Sequence, residues 1–321
     1  MAMKFGTFVP QGWRMDLVEI DDPVEQYEAM TRVGLAAEAA GYDSIWVYDH
    51  FHTVPTPEIE TCFEAWTITA GLARDTRTIR IGQMVTCNGY RNPGLLAKIA
   101  STVDVMSRGR AICGLGAGWY EHEWRAYGYG FPELRDRMRA FRESVEIVVR
   151  LWTETYASFT GEYYTLDGAI NEPKGVQKPH LPLWLGGGGE KVTLKLVAQF
   201  AQGSNFGGGD PDDMRHKVGV LREHCETVGR DLDTITRSTS LNLFLLEPGA
   251  DPETATAQAR GAKSYAEFAS DNFVATPQQV IDRIGALGDA GANYLITYFP
   301  RVAYDHTMLK RFASEVMPAF A

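Results

Sequence analysis

The stretch PLWLGGGGE (182–190) decides how this chain is read. A short apolar run ends in four consecutive glycines, and a helix-period pattern follows to about residue 200. An apolar run, a glycine turn and a helix make one β-α unit. Four earlier stretches repeat it. KFGTFVP (4–10) precedes a helix over 22–41, with Asp22 placed to cap it, Pro23 in its first turn and Gly41 at its end. SIWVYD (44–49) precedes a helix over 60–73, and TIRIGQMVT (78–86) precedes one over 93–107. RAICGLGAG (110–118) runs into a glycine-rich turn before a long amphipathic helix over 134–152. Between 153 and 180 the alternation lapses into a hairpin, FTGEYYTLDG around Gly161, and the loop EPKGVQKPHLP. Residues 182–190 restart it. AQGSNFGGG (201–209) then precedes a helix over 211–229. TITRSTSLNLFLL (234–246) precedes a polar, helix-compatible insertion over 255–270 and a helix over 276–290. ANYLITYFP (292–300) precedes a last helix over 304–317.

Eight such units predict an α/β fold, a (β/α)8 TIM barrel, with an insertion after helix 4 (about 153–180) and a C-terminal helix. One barrel domain over 1–321 is expected. A Rossmann-type sheet is the competing fold. It calls for GxGxxG directly after the first strand, and that strand ends Val9-Pro10-Gln11-Gly12. GLGAGW (114–119) has two of those glycines, but Trp119 fills the last position and the stretch follows the fourth strand.

Composition narrows the function. Of 321 residues, 45% are apolar and 22% charged, which suits a globular chain with a large core. The net charge is −10, so a nucleic-acid backbone would repel the surface. No run of 18 apolar residues occurs, so no membrane span is expected. MAMKFGTFVPQ lacks the apolar stretch of a secretory signal, and the expected location is the cytoplasm. Cys62, Cys87, Cys113 and Cys225 form no CxxC pair and sit at no metal-ligand spacing, so neither zinc nor disulfides are expected.

In a barrel of this kind the chemistry sits where strands end. Strand two ends Tyr48-Asp49-His50, and a carboxylate beside an imidazole can move protons near neutral pH. Strand three ends in Thr86, Cys87, Asn88 and Tyr90, with Thr86, Asn88 and Tyr90 as candidate ligand contacts. Asn92-Pro93 reads better as a helix cap. Strand four ends Gly116-Ala117-Gly118-Trp119, where glycines let a flat ring or a phosphate approach the backbone. Glu121, His122 and Glu123 lack the partners to complete a metal site. Gly186, Gly187, Gly188 and Gly189 open a helix, and free N–H groups there make an anion site. Gly203-Ser204-Asn205 and Gly207-Gly208-Gly209 are expected to border it. No Gly-x-Ser-x-Gly elbow occurs, which disfavours a serine nucleophile.

These motifs together resemble the bacterial luciferase-like oxidoreductase superfamily, and within it the branch that uses the deazaflavin coenzyme F420. The stretches that carry the likeness are VYDHF (47–51), MVTCNGYRNP (84–93), GLGAGWYEHEWRAYGYGF (114–131), GEYY (161–164) and PLWLGGGGE (182–190). The resemblance implies hydride transfer between the deazaflavin C5 and a small organic substrate. It implies that Asp49 and His50 are the pair whose histidine lies against the ring. It places Met84 and Val85 at a strand-three bulge with a non-prolyl cis peptide. It assigns Ala117 and Gly118 to the ring and ribityl chain, His122 to a cofactor contact, and Gly186–Gly189 to the phosphate; Thr86, from the end of strand three, is expected among the cofactor-binding residues. Arg14, Arg91, Lys191 and Arg301 are candidates for the acidic tail. The likeness also implies a homodimer. One departure stands out: sugar-phosphate dehydrogenases of this branch carry Glu where this chain has Trp119. An FMN-dependent monooxygenase of the same superfamily, and a non-catalytic cofactor-binding protein, are the alternatives.

Overall fold

Lys4–Phe8 (β1) pairs in parallel with Ser44–Val47 (β2), and β2 pairs with Arg80–Gln83 (β3). The computed structural model, which describes residues 3–206 and 208–321, continues β3 after a break as Thr86–Cys87 (β4). Both pieces lie on Ala111–Gly116 (β5). Ala157–Thr160 (β6) and Thr165–Ala169 (β7) form the separate antiparallel hairpin of the insertion. The ring then continues through Leu183–Gly186 (β8), Gly203–Asn205 (β9) and Thr236–Leu245 (β10). Phe273–Ala275 (β11) adds to the outside of β10, and Tyr294–Tyr298 (β12) joins β10 to β1. With β3 and β4 as one stave, eight parallel staves close a barrel. Gly207 lies outside the described residues.

Two layers of packing hold this ring. Phe8, Trp46, Ile112, Trp184, Tyr294 and Ile296 fill its interior. The small strand residues make room for them: a Cβ on Gly82 would lie 2.5 Å from the Trp46 ring. Outside, the helices bury one stripe each. Pro23–Ala39 (α1), Ala65–Asp75 (α2) and Pro93–Met106 (α3) cover the first staves. Glu121–Ala126 (α4) is short and crosses the barrel mouth. Leu134–Thr153 (α5) buries Phe141, Val145, Val148, Leu151 and Trp152, a 3.6-residue stripe, and the Trp152 indole donates to the Ala97 carbonyl at 3.1 Å. Thr193–Phe200 (α6) and Pro211–Val228 (α7) cover the next staves.

Some boundaries move for local reasons. The second helix starts at Ala65 because Glu64 accepts the Trp66 and Thr67 N–H groups as its cap. The insertion expected over 255–270 is three short helices, Pro252–Ala255, Ala257–Arg260 and Tyr265–Asp271, with Gly261 at φ +54 between the second and third. The last helix begins at Thr307, where Asp305 accepts the Thr307 N–H at 2.8 Å, and it runs on as a π turn. Among the described residues no helix is long and apolar enough to cross a membrane.

Candidate active site

A cavity of about 780 Å³ opens where the barrel strands end. Two very different walls close its ends.

The first wall is built on the residues after β2. His50 lines the cavity and is 8% exposed. Its Nδ1 lies 3.0 Å from Oε2 of Glu123, a fully buried side chain on α4. The same oxygen accepts the Tyr90 hydroxyl at 2.6 Å. Oε1 accepts the Phe51 N–H at 2.5 Å and the His52 N–H at 3.3 Å. Burial raises the Glu123 pKa, but hydrogen bonds and charge from His50, Tyr90 and Phe51 outweigh it, and the net shift is downward. Glu123 is therefore a carboxylate. Burial raises the Tyr90 pKa far above its ordinary value, so its hydroxyl keeps its proton and donates. With Nδ1 committed to Glu123, Nε2 is the His50 nitrogen left to exchange a proton. Trp13 stacks on the imidazole with ring centroids 4.9 Å apart and planes 17° apart. Arg14 carries that stack to Tyr298, whose ring its guanidinium covers at 4.4 Å.

Asp49 does something else. Its two oxygens take a bidentate grip from Arg91, at 2.7 and 2.9 Å, and Oδ2 also accepts the Cys87 N–H at 2.7 Å. Burial raises its pKa, and Arg91 and the Cys87 N–H oppose the rise. Arg91 also bonds Glu64, the cap of α2. Asp49 thus braces β2, β4 and α2. Asp49 and His50, adjacent in sequence, therefore turn to different partners: Arg91 takes Asp49, and Glu123 holds the imidazole.

The floor is flat because its residues are small. Val85 fills the space beside Gly116 and Gly186, where a Cβ would lie 2.6 Å and 2.8 Å from Val85 methyl carbons. The Met84–Val85 peptide is cis, and both residues line the cavity with Ala117 and Gly118.

The far wall is the glycine run. Gly187 has φ +114, a backbone conformation that suits glycine. Among the described residues, the N–H groups of Gly188, Gly189 and Glu190 have no acceptor. The Lys217 stem from α7 packs over Gly188, where a Cβ would sit 3.2 Å from its Cε. Lys217 Nζ donates to Glu190 Oε1 at 2.8 Å, and His216 Nε2 lies 2.9 Å from the same oxygen. Lys191 completes this end of the cavity. Unpaired amides beside two lysines form a place for an anion.

Most of the residues singled out from the sequence line this cavity: Asp49, His50, Met84, Val85, Ala117, Gly118 and Gly186–Gly189, with Tyr90 and Lys191. Asn205 joins them from β9. Thr86 does not; it is buried behind the floor, where it accepts the Trp66 indole N–H at 3.1 Å. His122 stands off the cavity, its Nδ1 3.3 Å from Nε2 of His52. Arg91 and Arg301 are engaged elsewhere, Arg301 by Glu19 at 2.5 Å. Sequence reasoning did not single out Glu123 as the carboxylate that holds His50, and it missed Lys217 as a wall. Among the described residues no group of three or more His, Cys, Asp or Glu is placed to hold a metal.

The chain is 31% identical over 221 residues to an F420-dependent glucose-6-phosphate dehydrogenase of Kineococcus radiotolerans, spanning 67% of this chain and 63% of that relative. It is 26% identical over 269 residues to an FMNH2-dependent dimethylsulfone monooxygenase of Pseudomonas putida, covering 74% and 73% of the two chains. Its backbone superposes on an F420-dependent secondary alcohol dehydrogenase with a TM-score of 0.80 at 20% identity, over the whole of both chains, which is a likeness of fold. The sequence profile of the luciferase-like monooxygenases matches residues 3–273. The chain therefore belongs to the luciferase-like monooxygenase family, a family of oxidoreductases.

Proposed function

We propose that this protein is an F420-dependent oxidoreductase that moves a hydride between the deazaflavin C5 and a small organic substrate. The observation that carries the reading is one cavity with a proton-exchanging histidine at one end and unpaired amides with lysines at the other. The residues fit such a cofactor. A floor of Gly116, Ala117 and Gly186 over Val85 accepts a flat ring, and Gly188, Gly189, Lys191 and Lys217 accept a phosphate. When bound, the deazaflavin supplies two-electron hydride chemistry.

The protein's own part is proton handling and placement. As a hydride leaves a carbinol carbon, the hydroxyl proton passes to His50 Nε2 and a carbonyl forms; the reverse direction returns it. Glu123 stabilises the imidazolium that results. Trp13, Trp119 and Tyr120 around His50, with Tyr48 against Trp13, make this end aromatic, while Lys217 lies with the glycine run. A neutral substrate with an apolar body suits that wall better than a sugar phosphate, in keeping with Trp119 where sugar-phosphate dehydrogenases carry Glu. A homodimer is carried forward from the resemblance alone.

The relatives support two cofactors, so FMN with oxygen is the second reading. A panel of neutral alcohols and ketones, scored by loss or return of the visible absorbance of F420, tests the first. Turnover of F420 by any panel member supports it. Formation of an oxygenated product from an organosulfur substrate with reduced FMN and oxygen, without F420 turnover, overturns it.

A further inference from the structure

The glycine-rich end holds a carboxylate where an anion site would ordinarily exclude one. Glu190 lines the cavity beside Gly187–Gly189 and takes Lys217 at 2.8 Å and His216 at 2.9 Å. Hydrogen bonds from Lys217 and His216 lower its pKa, so it is charged at neutral pH. Lys217 is no loose surface lysine: its side chain is 18% exposed, and its stem lies against Gly188. The cradle therefore sets one carboxylate against a held lysine, Lys217, and an exposed one, Lys191, with His216 on the same Glu190 oxygen.

We infer that Glu190 makes this cradle selective for a phosphodiester over a phosphomonoester. The inference rests on the reading that this end of the cavity receives the cofactor phosphate. The two candidate cofactors differ at that group. The phosphate of F420 is a diester with a single negative charge. That of FMN is a monoester carrying about −1.5 to −2 at neutral pH. With Lys217 already paired to Glu190, the single charge of the diester can be met by Lys191 and the amides. The second charge of the monoester meets the Glu190 carboxylate instead. Like charges several ångströms apart in a half-solvated site disfavour each other by about five- to tenfold in affinity. Glu190 thereby sorts the cofactors by phosphate charge, at a site far from the ring chemistry that distinguishes them as redox agents.

The experiment measures dissociation constants of riboflavin, FMN and F420 by quenching of intrinsic fluorescence, for the wild type and Glu190→Gln. The ratio of riboflavin to FMN constants reports what the phosphomonoester contributes, whatever the ring. Glu190→Gln is expected to raise that ratio about five- to tenfold and to tighten F420 by a smaller factor, about two- to threefold. The same pair of measurements in a Lys217→Met background separates direct repulsion from release of the lysine. The ratio is expected to rise there too, and loss of the rise would overturn the inference. An unchanged ratio in the Glu190→Gln protein overturns it as well, while a wild-type preference for F420 would leave the functional reading standing. A wild type that prefers FMN, with the ratio still moved by Glu190→Gln, overturns the F420 reading and keeps the charge effect.

Discussion

The two ends of the cavity are built on opposite plans. At the His50 end the two buried carboxylates are already filled by protein: Glu123 accepts from His50, Tyr90, Phe51 and His52, and Asp49 is filled by Arg91 and Cys87. At the glycine end the amides are unpaired, and the ion pairs are part-exposed. Groups that must act at a set geometry gain from buried, fully paired networks. A group that must come and go is better met by open amides and screened charges. On the proposed function the difference separates chemistry from binding, and it can be broken from either side.

The largest effect belongs to the histidine. His50→Ala is expected to cut kcat by about 10²- to 10⁴-fold while leaving the F420 dissociation constant nearly unchanged. Parallel turnover and titration measurements check it; equal losses in both would erase the distinction between the ends. Glu123→Gln comes next. It should destabilise the fold at neutral pH by about 1.5–3 kcal/mol, read by urea unfolding, because a buried acceptor of several donors is lost. The sign with pH follows from the lowered pKa of Glu123. Its contribution is full above the ordinary value of 4.5 and is lost as pH falls through the lower folded-state value. The gap between wild type and Glu123→Gln should therefore close in acid. A Glu190→Gln protein, by contrast, should unfold at the wild-type midpoint.

Two glycine substitutions give a smaller contrast. Gly186→Val places a Cβ 2.8 Å from a Val85 methyl in the packed floor. It should cost about 1–3 kcal/mol of stability and weaken cofactor binding sharply. Gly188→Ala meets only the Lys217 side chain at 3.2 Å, a contact that a shift of a few tenths of an ångström relieves, so stability should hold and affinity fall a few-fold. Smallest is the response to salt. Raising ionic strength should weaken F420 binding but leave kcat at saturating cofactor unchanged, because screening reaches the exposed end and not the buried one.

The barrel was legible because its signal is repeated: each strand is a short apolar run, and each run ends in the small or polar residues of the cavity mouth. Asp49, His50, Ala117, Gly118 and Gly186–Gly189 were findable for that reason, since a strand end is a position in a pattern. Glu123 was not, because it meets His50 from 73 residues away and shares its string with Glu121 and His122. On a helix, neighbours point about 100° apart, so only one of the three turns inward, and nothing local says which. His122 drew attention as a cofactor contact, while the side chain that meets His50 is that of Glu123. Lys217 failed the same way. It is one lysine on a polar surface helix, and only the packing of α7 against the glycine loop brings it to Glu190. Arg91 looked available because its string, Arg91-Asn92-Pro93, reads as a helix cap. Its guanidinium instead reaches a buried carboxylate, which proximity in sequence does not reveal. The three residues of β11 were too short a run to separate from the polar insertion before them.

The central claim is that one cavity joins a proton-exchanging histidine to a cradle for a deazaflavin cofactor. Its most direct test is a fluorescence titration of the cofactor-free protein with F420 and, separately, with FMN. The account predicts saturable, tight binding of F420 and markedly weaker binding of FMN. Tight binding of FMN with none of F420 would contradict it and make the protein a flavin monooxygenase.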